Sequence, residues 1–95
     1  MHVISRKILR LFWQKHPDSR TALQRWFKAV SRTKFSSFSQ LRAAFPSADK
    51  VEDWVVFNIG GNKYRLVASI HFNRSKVYLR HVMTHREYDS GDWKQ

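Results

Sequence analysis

The segment from Lys63 to Phe72, KYRLVASIHF, constrains this chain more than any other. Apolar side chains recur at every second position, at Tyr64, Leu66, Ala68, Ile70 and Phe72. A period of two belongs to a β-strand with one face buried. Turn signals bound it on both sides, GGN at 60–62 and NRS at 73–75. Beyond them lie VEDWVVFNI (51–59) and KVYLRHVMT (76–84), rich in β-branched and aromatic residues as strands are. Three strands joined by two short turns form an antiparallel meander. The alternation points Tyr64, Leu66 and Ala68 toward a core. It sends Lys63, Arg65, Val67, Ser69 and His71 to the opposite face. The last strand gives no clean split, because Val77, Leu79, His81 and Met83 alternate with Tyr78, Arg80, Val82 and Thr84. Arg80 is expected on the open face with the other cations, since an unpaired buried guanidinium is costly.

The first half has a different period. HVI (2–4) predicts a short first strand, and Ser5 is a candidate N-cap for a helix from Arg6 to about His16. Pro17 ends that helix, and Asp18 is placed to cap the next. Residues 19–33 carry Ala22, Leu23, Trp26, Phe27 and Val30, the spacing of an amphipathic helix. Ser36 to Phe45 predicts a shorter helix or a turn, closed by Pro46. The order β-α-α-(α)-β-β-β is α+β. It predicts a small antiparallel sheet, a short N-terminal strand plus a three-strand meander, with two to three helices on one face. The other face is left open, as an antiparallel sheet permits. At 95 residues, a single domain spanning 1–95 is expected.

Charge narrows the function classes. Eighteen Lys and Arg face seven Asp and Glu, a net +11. Residues 1–45 hold ten basic and one acidic side chain, while residues 46–95 hold eight and six. Such a field favours polyanions. Cysteine is absent, which removes disulfides, thiolate metal sites and cysteine nucleophiles, and agrees with a reducing cytoplasm. No apolar run approaches a membrane span. The segment MHVISRKILRLFW is broken by Arg6, Lys7 and Arg10 and lacks a signal-peptide core.

Individual motifs exclude more than they assign. GGN matches neither the dinucleotide fingerprint nor the Walker loop, and two glycines before a strand fit a hairpin with positive φ. The five histidines have no zincin or zinc-finger spacing, so no metal site is expected. No nucleophile elbow supports a serine hydrolase. What remains is a basic domain with cations, a histidine and a tyrosine near one sheet face. Metal-free RNA cleavage uses that inventory: a proton acceptor at the 2′-hydroxyl, a donor at the leaving oxygen, and cations for the phosphorane. The same residues also fit a non-catalytic RNA- or DNA-binding module, or a structural protein of the ribosome. The residues alone leave these alternatives open.

The stretch PSAD…VVFNIGGNKYRLVASIHFNRSKVYLRHVMTHREYD, with the N-terminal MHVISRKILRLFWQKHPDS and the Trp26 helix, resembles the HigB-type toxins of bacterial toxin–antitoxin pairs, within the RelE-like superfamily of messenger-RNA interferases. NIGGNKYRL together with THREYD carries most of the resemblance. It implies a RelE-like fold and ribosome-dependent cleavage of translated mRNA without a cofactor. It implies a helix-turn-helix antitoxin encoded by a neighbouring gene, a hetero-oligomeric complex with it, and a cytoplasmic location on the ribosome. It implies sheet cations Lys63, Arg65 and Arg80, and a C-terminal pair, His85 and Tyr88, with His85 for proton transfer and Glu87 to orient or pair. It implies that Arg6, Lys7, Arg10, Arg25, Lys28, Arg32, Asn62 and Arg86 face RNA. Met83 before Thr-His and Arg86 inside the motif depart from the family pattern.

Overall fold

Ser5 ends one element and begins the next. In the computed structural model, which describes residues 1–94, β1 spans His2–Ile4 and α1 spans Arg6–Lys15. Between them the Ser5 hydroxyl accepts the Lys7 amide at 3.2 Å, satisfying one of the helix's orphan donors. A single 3-10 turn over Pro17–Ser19 leads into α2, Arg20–Arg32. Asp18 does not cap α2, contrary to expectation. The N-cap position is Ser19, whose hydroxyl is drawn back to the His16 carbonyl at 2.7 Å. A third helix, α3, runs Phe38–Ala44 with the Ser37 hydroxyl as its cap.

The second half holds one strand more than the periodicity showed. VEDWVVFNI is not one strand. It contains the end of β2, Asp49–Val51, a tight turn, and β3, Trp54–Ile59. The turn places Glu52 at φ 56°, a left-handed conformation that no glycine or asparagine announces here. After it come β4, Tyr64–His71, and β5, Lys76–Thr84. Gly60 and Gly61 adopt φ 62° and 69° between β3 and β4, so the hairpin expectation holds. The sheet order is β1-β5-β4-β3-β2. All neighbours are antiparallel except β1, which runs parallel to β5 with Val3 opposite Val77. The sheet is therefore mixed, with a four-strand meander, and the α+β class stands.

Helices and sheet share one main core. Leu9, Leu23, Trp26, Val30 and Leu41 meet Phe57, Leu66, Ala68, Val77 and Leu79. Trp26 packs edge-on against Phe57, ring centroids 5.4 Å apart. A β-bulge explains the mixed faces of the last strand. Ala68 pairs with Leu79 but Val67 pairs with His81, so Arg80 is an extra residue with no partner on β4. The inserted residue reverses the parity. Leu79 faces the helices, while Met83, four residues on, faces the other way beside Val56 and Val67. That second face is not open. Thr84 begins α4, His85–Ser90, and a last turn follows over Asp92–Lys94. Tyr88 and Trp93 from these segments lie over Val56, Val67 and Met83 as a small second core. Among the described residues, no helix is long and apolar enough to cross a membrane.

Candidate functional site

THREYD is a helix rather than an irregular tail. The Thr84 hydroxyl accepts the Glu87 amide at 3.2 Å, and Glu87 Oε1 accepts the Thr84 amide at 2.9 Å. This reciprocal pair is a capping box, and Thr-x-x-Glu in the sequence is its signature. The bond from the Thr84 amide holds the Glu87 carboxyl below its usual range, against a smaller opposing desolvation. Nearby His16 and Lys15 lower it further. The box aligns four polar side chains on one short helix: His85, Arg86, Glu87 and Tyr88. The His85 amide donates to the Lys63 carbonyl at 3.1 Å, which ties α4 to the glycine turn.

Arg65 lies beneath that helix. Alternation put it outward, and it does leave the helical face, but it is only 8% exposed. The Tyr88 ring covers it, 5.7 Å from the guanidinium carbon. Its nitrogens donate to the Asn62 carbonyl at 3.2 Å, the Tyr64 carbonyl at 3.1 Å and Asn62 Oδ1 at 3.4 Å. All these acceptors are neutral. Among the described residues no carboxylate pairs with it. A buried guanidinium with no anion is a costly arrangement. Asn62, expected to face RNA, is occupied in aiming Arg65.

Lys63 departs from its expected face. It sits in the turn rather than on β4, and its ammonium lies 3.5 Å from Asp18 on the helical side. The same carboxylate accepts the Tyr64 hydroxyl at 2.6 Å. That bond, with help from Lys63, holds Asp18 below the ordinary aspartate range and pushes the Tyr64 phenol up. Lys63 and Arg65, two residues apart in sequence, therefore send their side chains to different partners, Asp18 on the helical side and Tyr88 of α4 on the other.

His85 is exposed, and its Nδ1 lies 3.4 Å from Asp89 Oδ2 one turn along. With Nδ1 held there, Nε2 is the nitrogen available to a substrate. Tyr88 stacks on Trp93 at 5.3 Å with planes 16° apart, and the Trp93 indole donates to the Tyr88 carbonyl at 3.0 Å. His81 and Trp93 line a cleft of about 270 Å³ beside Glu87. Arg80 is not brought to this cluster. It lies over Trp54, 5.6 Å from the ring, with the Val67–His81 pair between it and Arg65. Asp89 and Trp93 were missed in the sequence. The i,i+4 spacing of His85 and Asp89 was a readable signal once the segment is a helix. Nothing local marked Trp93.

The other expected RNA contacts are spread over the helices. Arg6 lies over the Phe27 ring at 4.5 Å, and Arg10 borders the same crevice between α1 and α2. Lys7, Arg25, Lys28, Arg32 and Arg86 are exposed.

Residues 19–91 match the family HigB_toxin, described as the RelE-like toxic component of a toxin-antitoxin system. The chain belongs to the HigB toxin family. It is 39% identical over 92 residues to the mRNA interferase toxin HigB of Escherichia coli (strain K12), covering 94% of this chain and 88% of that protein. The mRNA interferase HigB of Shigella flexneri matches to the same extent. An mRNA interferase HigB of another Escherichia coli strain is 33% identical, with 94% and 89% covered. A HigB-family toxin has an antitoxin as partner. The five-stranded sheet with helices on one face and a capped C-terminal helix on the other is this family member's scaffold.

Proposed function

We propose that this HigB-family toxin cleaves mRNA on the ribosome, with Arg65, His85 and Tyr88 as the working group. Its relatives are named mRNA interferases, and the single observation that carries the site assignment is Arg65, which among the described residues is buried without an anion beneath α4, the helix that bears His85. A scissile phosphate supplies the missing anion. The guanidinium fork meets two phosphate oxygens and takes up the charge that grows on them as the 2′-hydroxyl attacks phosphorus. The 2′-oxygen–phosphorus bond forms, the bond to the 5′-oxygen breaks, and a 2′,3′-cyclic phosphate remains. His85 Nε2 moves a proton at one of these oxygens. The Tyr88–Trp93 stack offers an aromatic platform for a splayed base. Lys63 adds charge at the turn, and Glu87 acts by holding α4 in place. Arg80 serves substrate at a distance from the cleavage point. No metal is required, because guanidinium charge does the work of a Lewis acid.

The basic helices dock on ribosomal RNA, where Arg6, Lys7, Arg10, Arg25, Lys28, Arg32 and Arg86 contact phosphates and position the toxin without reading sequence. The site of action is the cytoplasm. The antitoxin is a helix-turn-helix protein from a neighbouring gene, and the complex is a hetero-oligomer. The test is cleavage of a translated mRNA by purified toxin with ribosomes. We expect cyclic-phosphate ends, and no cuts in the same mRNA without ribosomes. Arg65→Ala and His85→Ala should each lower the cleavage rate by about 10²–10³-fold, the cost of removing a group that meets developing charge or its proton. Either variant cutting at the parental rate sinks the site.

A further inference from the structure

The cluster around Arg65 occupies one end of the sheet face opposite the helices. Register fixes what stands at the other end. Directly paired residues share a face. His2, Lys76 and His71 therefore form one row across β1, β5 and β4, and Ile4, Tyr78 and Ser69 form the next. Their neighbours along the strands, Val3, Val77, Leu79, Ala68 and Ile70, pack into the main core, which sends both rows to the opposite face. The bulge then adds Arg80, exposed and lying over Trp54 of β3. After it come the Val67–His81 pair and Arg65 itself, opposite Met83.

These far rows are cationic. β1, β4 and β5 hold no aspartate or glutamate, while Asp49 and the turn residues Glu52 and Asp53 stand at the opposite edge of the sheet. Among the described residues, neither Lys76 nor Arg80 is in an ion pair. The rows are also aromatic. Tyr78 and His71 meet perpendicularly with ring centroids 5.2 Å apart, a contact that uses at most one face of the Tyr78 ring. Finally, they join the cluster at α4. Tyr88 stacks on Trp93, Trp93 meets His81 at 6.3 Å, and His81 adjoins Arg80.

We propose that this strip holds the single-stranded mRNA that runs on from the scissile phosphate. Tyr78 stacks one base, the Arg80–Trp54 pair stacks another, and Lys76, between His2 and His71, meets a backbone phosphate. From Arg65 to His71 the strip is roughly 20 Å long at about 3.4 Å per strand residue, room for several extended nucleotides. RNA is favoured over a protein segment because rings and cations dominate the rows and Ile4 is their one aliphatic side chain. Bases and phosphates use that surface, whereas the apolar core of a protein interface has little to grip. A single strand is favoured over a duplex, whose paired and stacked bases cannot reach the rings. The strip adds affinity without choosing a sequence, since every base has a π-face.

The inference rests on the reading of mRNA as substrate and needs no cut. Its test uses the full chain in a His85→Ala background, which keeps the RNA whole, with a single-stranded oligonucleotide of about ten nucleotides and no ribosomes. Tyr78→Ala should weaken binding by roughly five- to hundredfold, and Tyr78→Phe, which keeps the ring, should bind like the parent. Lys76→Ala should lower the slope of log K against log salt by about 0.7. A duplex of the same sequence should bind Tyr78→Ala and parent alike, a contrast that a merely misfolded variant does not give. If Tyr78→Ala does not fold, Lys76→Ala decides the matter alone. Unchanged single-strand affinity and salt slope in folded variants overturn the proposal. Equal losses for single strand and duplex, or for the Phe and Ala variants, overturn it as well. Ribosomes without mRNA should bind Tyr78→Ala as they bind the parent. A loss there, or in antitoxin binding, with none on the oligonucleotide gives the strip to ribosomal RNA or to protein and overturns it too. A chain that binds RNA here but never cuts keeps the strip and loses the cleavage assignment, and one that cuts without the strip does the reverse.

Discussion

Arg65 holds a full charge against three neutral acceptors and an aromatic ring. On the proposed reading Arg65 is kept for what it binds, and removing its charge relieves the fold. Arg65→Met, which keeps the length of the stem, should leave the melting temperature unchanged or raise it, while abolishing cleavage. A clear fall in melting temperature would mean that the guanidinium is structural instead. Alternation alone could sort Arg65 onto the correct face but could not bury it. Burial came from Tyr88, more than twenty residues on, through a contact that no local pattern encodes. Lys63 failed differently. It belongs to the turn, where period-two reasoning has no hold, and Asp18 draws it to the helical side. Asp18 was read as a cap because its position allowed it, but a tyrosine hydroxyl 46 residues away competes for the same carboxylate.

Among the elements, α4 is the one on which the proposed activity turns. Six residues are too few for a helix to persist unaided in water. Its cap and the Tyr88–Trp93 layer therefore decide whether His85 is held near Arg65. Thr84→Ala should cost α4 about 0.5–2 kcal/mol. Amide exchange should quicken across 85–90 with little change in the strands, and cleavage should fall with it. Glu87 adds a pH dependence. Its folded pKa is lowered, so its contribution is present above the ordinary glutamate value of 4.5 and is lost as pH falls through the folded one. Exchange in α4 should quicken in that acid range in the parent and not in Glu87→Gln. The helix was legible, since Thr-x-x-Glu stands in the sequence, but the strand-like run before it concealed the start. β2 was less so, because its turn uses Glu52 at positive φ where glycine would have announced it. The bulge at Arg80 was visible only as disorder in the alternation, and its meaning needs the pairing with β4.

For the whole molecule, charge was legible from composition and topology only in part. The helical half and the meander could be read from their periods. The parallel placement of β1 against β5 could not, because a three-residue strand carries no register information. The uneven charge leads to a measurable slope. If six to ten phosphates are contacted, ribosomal RNA binding should weaken roughly 10³–10⁵-fold between 50 and 200 mM salt. Lys28→Ala and Arg32→Ala should each reduce the slope of log K against log salt by about 1. A slope unchanged by both would place the docking surface elsewhere.

The pairing of β1 with β5 also sets a timetable. Residues 2–4 are made about seventy residues before residues 76–78, their one strand partner among the described residues. β4 likewise waits for β5, and α4 follows β5 directly. The contacts that complete the sheet are among the longest in sequence, and such contacts form late. A nascent chain therefore has no assembled Arg65–Tyr88 pair while most of its length is still being made. On the proposed reading of that pair as a ribosome-bound cleavage site, the ribosome synthesising the toxin is shielded, for that interval, by the order in which the strands are delivered.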